Sequence, residues 1–181
     1  LRFVKGVVDS EDIPLNLSRE LLQNSNLIRR LRNVLTARVL KFLYDKSNKD
    51  PEGYEKFYKD YGLFLKEGIV TTQDQPEKEE IAKLLRFETN KTDEGSRVGI
   101  DEYIKQLKEG QKDIYYLAAP SRALALTSPY FESLQKQDYP VLFCYEPYDE
   151  LVLMQLISYK VRNFASFEGY SMSSSGHSLG I

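Results

Sequence analysis

The sequence predicts an α/β (α+β) fold, a three-helix hinge region followed by a small α/β sandwich with a mainly parallel sheet. Three observations predict it. From 27 to 85, apolar residues recur at the three- and four-residue spacing of helices that bury one face. From 98 onward the pattern becomes helix, strand, helix, strand, helix, strand, the alternation in which crossover helices join parallel strands. Between the two, Asn90–Arg97 is polar and without period, which is a loop.

Taken in order, Leu1–Val8 has the composition of a strand. The chain then turns acidic at Asp9–Asp12, passes Pro14 and starts a helix at Ser18, whose hydroxyl can accept from the free amides of the first turn. After a bend at Asn24–Asn26 a long amphipathic helix follows. Ile28, Leu31, Leu35, Val39 and Phe42 form its expected inward stripe, widened by Leu27, Val34 and Leu43. Its other faces carry Arg29, Arg30, Arg32, Arg38 and Lys41. Such a helix is a candidate anion or nucleic-acid surface, but acidic neighbouring helices offset it, and a solvated face is the simpler reading.

Asp50-Pro51 restarts the helical pattern, with Asp as cap and Pro at the first helical position. Tyr54, Phe57, Tyr58, Tyr61 and Leu65 give this helix an aromatic packing face, and Gly68 is expected to close it. Pro76 opens a third helix in which Ile81, Leu84 and Leu85 face inward. Ile100, Ile104 and Leu107 mark a short helix ended by Lys108-Glu109-Gly110. Ile114–Ala118 and Val141–Cys144 are apolar runs of buried-strand length, and Phe164–Phe167 is expected as the final strand. Ser121–Gln137 is helical with a break at Ser128-Pro129, and Tyr148–Ser158 is helical with Leu151, Met154 and Leu156 apolar. Gly169–Ile181, rich in Ser and Gly, is expected as a flexible tail or a non-native remnant outside the fold.

Composition narrows the chemistry. The 181 residues carry a net charge of −2, so bulk attraction to nucleic acid or anionic lipid is not expected. The longest apolar runs are too short to span a bilayer. One cysteine, Cys144, excludes an intrachain disulfide. One histidine, His177, beside that single cysteine leaves no zinc site, and no metal ligands are assigned. Cys144 itself, on a strand, is expected as a small apolar filler. The chain opens at Leu1 without Met and inside a strand-like stretch, which predicts a fragment of a longer protein.

Arg19 is the residue that local propensity leaves unexplained. It falls at the first helical position, where a cation opposes the helix dipole, while Glu20 beside it complements the dipole. Gln23 lies four residues on, on the same helix face. A guanidinium and an amide at a helix start, where backbone donors also point outward, suit an anion such as phosphate. An ion pair between Arg19 and Glu11 or Asp12 that only staples the turn explains the same residues. Residue types alone leave both readings open.

The wording of the whole stretch adds to this. Val7-Val8-Asp9-Ser10-Glu11-Asp12-Ile13-Pro14-Leu15-Asn16-Leu17-Ser18-Arg19-Glu20 closely resembles the catalytic-loop signature in the middle domain of the ninety-kilodalton heat-shock chaperones. Ile81–Phe87, Asp113–Leu117, Ser128–Glu132 and Val141–Glu150 resemble further middle-domain segments of that family, in the same order. The likeness runs from Leu1 to about Glu168, and Tyr61–Thr71 is most similar to the family's mitochondrial branch, with the bacterial branch next.

The resemblance implies a division of the chain: 1–17 as the closing strand and catalytic loop of a first α/β subdomain, 18–88 as a helical region, 98–168 as a small α/β subdomain, and 169–181 as the tail. It implies a role in a split ATPase, with Arg19 reaching the γ-phosphate and Gln23 as its polar neighbour. ATP with magnesium would be bound mainly by an N-terminal domain that this chain lacks, so no activity is expected of the fragment alone. The implied partners are client proteins, that N-terminal ATPase domain, and a second copy joined through a C-terminal domain, with no nucleic acid and no membrane span. The implied location is the mitochondrial matrix, or a bacterial cytoplasm. A protein-binding module without any nucleotide role remains the alternative function.

Overall fold

The computed structural model describes residues 2–9 and 26–166. The chain divides into two compact units, Leu1–Phe64 and Leu65–Ile181, with the border inside one helix.

In the first unit, α1 (Asn26–Lys49) and the start of α2 (Pro51–Thr71) follow the expected restart at Asp50. The Gly53 amide donates to Asp50 Oδ1 at 2.9 Å, and a Cβ on Gly53 would collide with that same carboxylate, so the glycine makes room for the cap. The aromatic face of α2 packs as expected, with Tyr54 and Tyr58 buried and Phe57 stacked on Tyr61 at 5.2 Å between centroids.

Two expectations for this unit need correcting. No strand forms over residues 2–8: Arg2 and Phe3 make a turn, and Val7 is fully exposed. A strand exists only through its ladder, and no described residue pairs with this stretch. Phe3 instead sets its ring against Phe57, Tyr61 and Phe64, at 5.7, 5.0 and 5.8 Å. The second correction concerns α1, whose buried residues are Leu40, Leu43 and Ser47 rather than the expected stripe. Leu35 stays 43% and Phe42 59% exposed, while Val4, Ile28, Leu31, Arg32, Leu35, Thr36 and Val39 line an open groove of about 300 Å³.

The second unit begins with the end of α2, which runs past Gly68 to Thr71. A Cβ at Gly68 would come within 3.3 Å of Ile81 Cδ1, so this glycine permits a close helix approach instead of ending the helix. Then follow α3 (Gln75–Ala82), β1 (Glu88–Thr89), α4 (Ile100–Lys105), β2 (Ile114–Ala118), α5 (Arg122–Leu126), α6 (Pro129–Lys136), β3 (Leu142–Cys144), α7 (Pro147–Leu156), β4 (Ser158–Tyr159) and β5 (Arg162–Ser166). The sheet order is β1-β3-β2-β5-β4. Its three central strands are parallel, and the two-residue strands at the edges are antiparallel.

Register sorts the core into two faces. Leu117 lies opposite Phe143, and with Tyr115 and Val141 they face Ala125, Phe131 and Leu134 of α5 and α6. Phe131 meets Phe143 edge-on at 5.9 Å. Tyr116, Leu142 and Cys144 alternate to the opposite face, where α7 packs on β3 and α3 packs on α7. This is the small α/β sandwich that the alternation of elements predicted.

Helix α7 stops at Leu156, two residues before its expected end, because Ile157 turns to a φ of 64° that no helix tolerates. The edge strands β1 and β4 were not expected. Glu88 of β1 is held by Arg122 at 3.2 Å and by the Tyr145 hydroxyl at 2.9 Å, and Arg122 also donates to the Thr89 and Thr92 carbonyls.

Candidate functional site

Arg19 and Gln23, the residues assigned to phosphate, lie outside the described residues, as does His177. Among the described residues, one helix stands out for its chemistry, and it is α7 of the sandwich. Its sequence Pro147-Tyr148-Asp149-Glu150-Leu151-Val152-Leu153-Met154-Gln155-Leu156 is started by Pro147 and a reciprocal cap, in which the Glu146 amide donates to Asp149 Oδ2 at 3.4 Å.

Val152, Leu153 and Leu156 are fully buried on the inner face. The opposite face is also apolar. Pro147, Leu151 and Met154 recur at the four- and three-residue spacing of one helix line, and Leu151 is 38% and Met154 61% exposed. Ile157, just past the helix end, is 65% exposed. A surface helix is ordinarily apolar on one face only, so apolar residues on both faces mark the outer one for a partner.

An ion pair fixes this helix in place. Lys66, near the end of α2, sits 2.5 Å from Asp149 Oδ1 and 3.7 Å from Glu146 Oε2, with only 12% and 10% of the Lys66 and Asp149 side chains exposed. No hydrogen bond of good geometry reaches Asp149 Oδ1 despite the short distance, so the contact is ionic rather than directional.

The remaining candidates resolve as structural. Cys144 is buried on β3, and burial, with Asp149 and Glu150 nearby, pushes its thiol well above the ordinary range. A thiol held protonated in this way is a packing residue, not a nucleophile. Among the described residues no three His, Cys, Asp or Glu side chains gather to hold a metal ion, and no helix is long and apolar enough to cross a membrane. On α1, Arg29, Arg30, Arg32, Arg38 and Lys41 are all exposed, as a solvated face requires.

The apolar side expected of α7 was Leu151, Met154 and Leu156, but only Leu156 of the three is buried. A usable signal was present. Four apolar residues in succession, Leu151 to Met154, span more than half a helical turn's circumference and cannot all face one core.

Comparison with known proteins places this sandwich and its helices in a family. The profile described as Hsp90 protein matches residues 1–176. The chain is 54% identical over 168 residues to rat "Heat shock protein 75 kDa, mitochondrial", covering 93% of this chain and 24% of that protein. It is 46% identical over 171 residues to "TNF receptor-associated protein 1 homolog, mitochondrial" of Dictyostelium discoideum, again 93% of this chain and 24% of the relative. Against "Chaperone protein HtpG" of Desulfitobacterium hafniense it is 42% identical over 166 residues, 92% of this chain and 27% of the other. The chain belongs to the Hsp90 family of chaperones. It spans about a quarter of the length of these relatives.

Proposed function

We propose that this chain is the middle-domain segment of an ATP-dependent molecular chaperone, and that it has two tasks in the longer protein. One is to hold client polypeptides. The observation that carries this is the outer apolar line of α7, Leu151 and Met154 with Ile157 beside it, on a helix whose inner face is already fully used. Burying two such side chains against a client is favourable by roughly 25 cal/mol for each Å² removed from water, enough for a weak, sequence-tolerant grip.

The other task is to complete an ATPase site. The loop wording from Val7 to Glu20 supports Arg19 as the group that meets the γ-phosphate, with Gln23 as its neighbour. A guanidinium aimed there would stabilise the charge that develops as the phosphoryl group transfers. Nucleotide and magnesium belong to the N-terminal domain in this reading, and the chain alone hydrolyses nothing. Residues 1–17 then act as the closing strand and catalytic loop of a first subdomain, 18–88 as the helical region, 98–168 as the small α/β subdomain and 169–181 as a tail. The ladder that residues 2–8 lack here would come from the rest of that first subdomain. Dimerisation lies in a C-terminal domain. The names of the rat and Dictyostelium relatives support a mitochondrial location, which we assign to the matrix.

The client task is tested by following aggregation of a chemically unfolded reporter protein with and without the chain. The wild-type chain should slow aggregation, and Leu151→Ser/Met154→Ser should lose most of that effect while its unfolding free energy stays within about 0.5 kcal/mol of wild type. Equal protection by both proteins would remove α7 from the client surface.

A further inference from the structure

We propose that the segment held by the α7 face is an apolar stretch of unfolded polypeptide flanked by lysine or arginine, with Leu151 and Met154 taking the apolar part and Glu150 selecting the cation. This rests on α7 being the client surface and adds the charge of the client to it.

The carboxylates at this end of α7 differ in how far they are already neutralised. Asp149 is buried and meets Lys66 at 2.5 Å. Glu146 shares the same ammonium at 3.7 Å. Glu150 borders the line of Leu151 and Met154, is half-buried, and forms no ion pair with any described residue. The positive end of the helix stabilises it in the free protein, as it does the other acids of the first turn.

Binding changes that balance. A client that covers Leu151 and Met154 also strips water from Glu150, and an uncompensated carboxylate becomes costly as its surroundings lose water. A neutral flank leaves that cost standing, and an acidic flank adds repulsion. A lysine or arginine beside the apolar stretch removes the cost by pairing with Glu150, most effectively where the local dielectric has fallen. Apolar contact therefore supplies the grip, and charge supplies the choice among clients.

The experiment measures binding of three fluorescent peptides to the whole chain by anisotropy at low ionic strength. The peptides share one apolar core and are flanked by lysines, by serines or by glutamates. The lysine-flanked peptide should bind about threefold tighter than the serine-flanked one, and the glutamate-flanked peptide should bind weakest, a spread that narrows at high salt. Glu150→Gln should bring the three affinities together, and Glu150→Lys should reverse their order. Equal affinity of all three for wild type, or a preference untouched by both Glu150 variants, overturns the charge rule and leaves the apolar face standing. If none of the peptides binds, or if Leu151→Ser/Met154→Ser binds all three as wild type does, the client surface itself is misplaced and this inference falls with it.

Discussion

Lys66 and Asp149 tie the end of α2 to the first turn of α7 at 2.5 Å, in a setting where each side chain keeps only about a tenth of its surface in water. At that depth the pair matters mainly because neither member can be removed alone. Taking away Lys66 leaves the Asp149 carboxylate buried without its cation, in contact with the Glu146 amide only. Lys66→Met should therefore cost about 2–4 kcal/mol of stability, and Asp149→Leu a similar amount. The double variant should recover much of the loss, because replacing both charges by apolar groups removes the desolvation penalty along with the attraction. Urea denaturation of the four proteins checks this. Additive losses in the double variant would mean the two residues act separately.

The β4–β5 hairpin is anchored through Asp101, which accepts from Tyr159 Oη at 2.8 Å and from Lys160 Nζ at 2.7 Å. Burial alone would raise the Asp101 pKa, but the hydrogen bonds from Lys160 and Tyr159 and the Lys160 and Lys83 charges outweigh it and hold the pKa below its ordinary value. A carboxylate with a depressed folded pKa contributes stability that is present above its unfolded pKa of roughly 3.9 and is lost as pH falls through the folded value. Asp101→Asn should thus destabilise the chain by about 1 kcal/mol at neutral pH, after allowance for its partial exposure, and by almost nothing in strong acid. Thermal melts of both proteins across the acid range would show the two curves converging below roughly pH 4. A constant gap would point to lost packing rather than lost charge.

The same hairpin turns through Lys160 and Val161, with φ of 46° and 61°, while Ser158 pairs with Asn163 and Tyr159 with Arg162. A two-residue turn with both φ values positive suits Asn-Gly, and a β-branched valine is strained there. Val161 is also fully exposed and contributes no packing to offset the strain. Val161→Gly should raise stability by about 1 kcal/mol, with Lys160 retained for its bond to Asp101. A lower melting temperature in the glycine variant would show the turn to be relaxed as it stands.

That turn also marks where the fold stopped being legible in the sequence. β2 and β3 could be read because Ile114–Leu117 and Val141–Cys144 are continuous apolar runs, and a strand buried on both faces needs nothing else. β1 and β4 are two residues each, and their pairing is decided at long range. Glu88 depends on Arg122 and Tyr145, and Tyr159 depends on Asp101, with Lys160-Val161 giving no Gly or Asn signal between the strands. The α1 stripe had the correct helical period, yet periodicity says which residues share a face and not whether anything covers them. On α7, consecutive apolar residues concealed an outer face that only burial could separate from the inner one. Arg19 was legible in another way, through an oddity of charge at a helix start and the wording around it.

Arg19 can be tested in a longer protein that carries the N-terminal ATPase domain. If Arg19 only staples its turn, Arg19→Ala should lower stability slightly and leave turnover per folded molecule nearly intact. If it meets the γ-phosphate, stability should barely move while ATP turnover falls roughly 10²–10³-fold, the scale of losing one preorganised charge-stabilising donor. Arg19→Lys sharpens the distinction. Lysine keeps the charge but loses the planar fork of donors and places its ammonium on a different stem, so at a site that needs paired, oriented donors it should rescue little. A turn-stapling ion pair would accept lysine with almost no change. Steady-state turnover measured beside denaturation curves for wild type and both variants separates the cases. Near-wild-type turnover in both variants would strip Arg19 of its proposed role, and the family resemblance of the loop would not restore it.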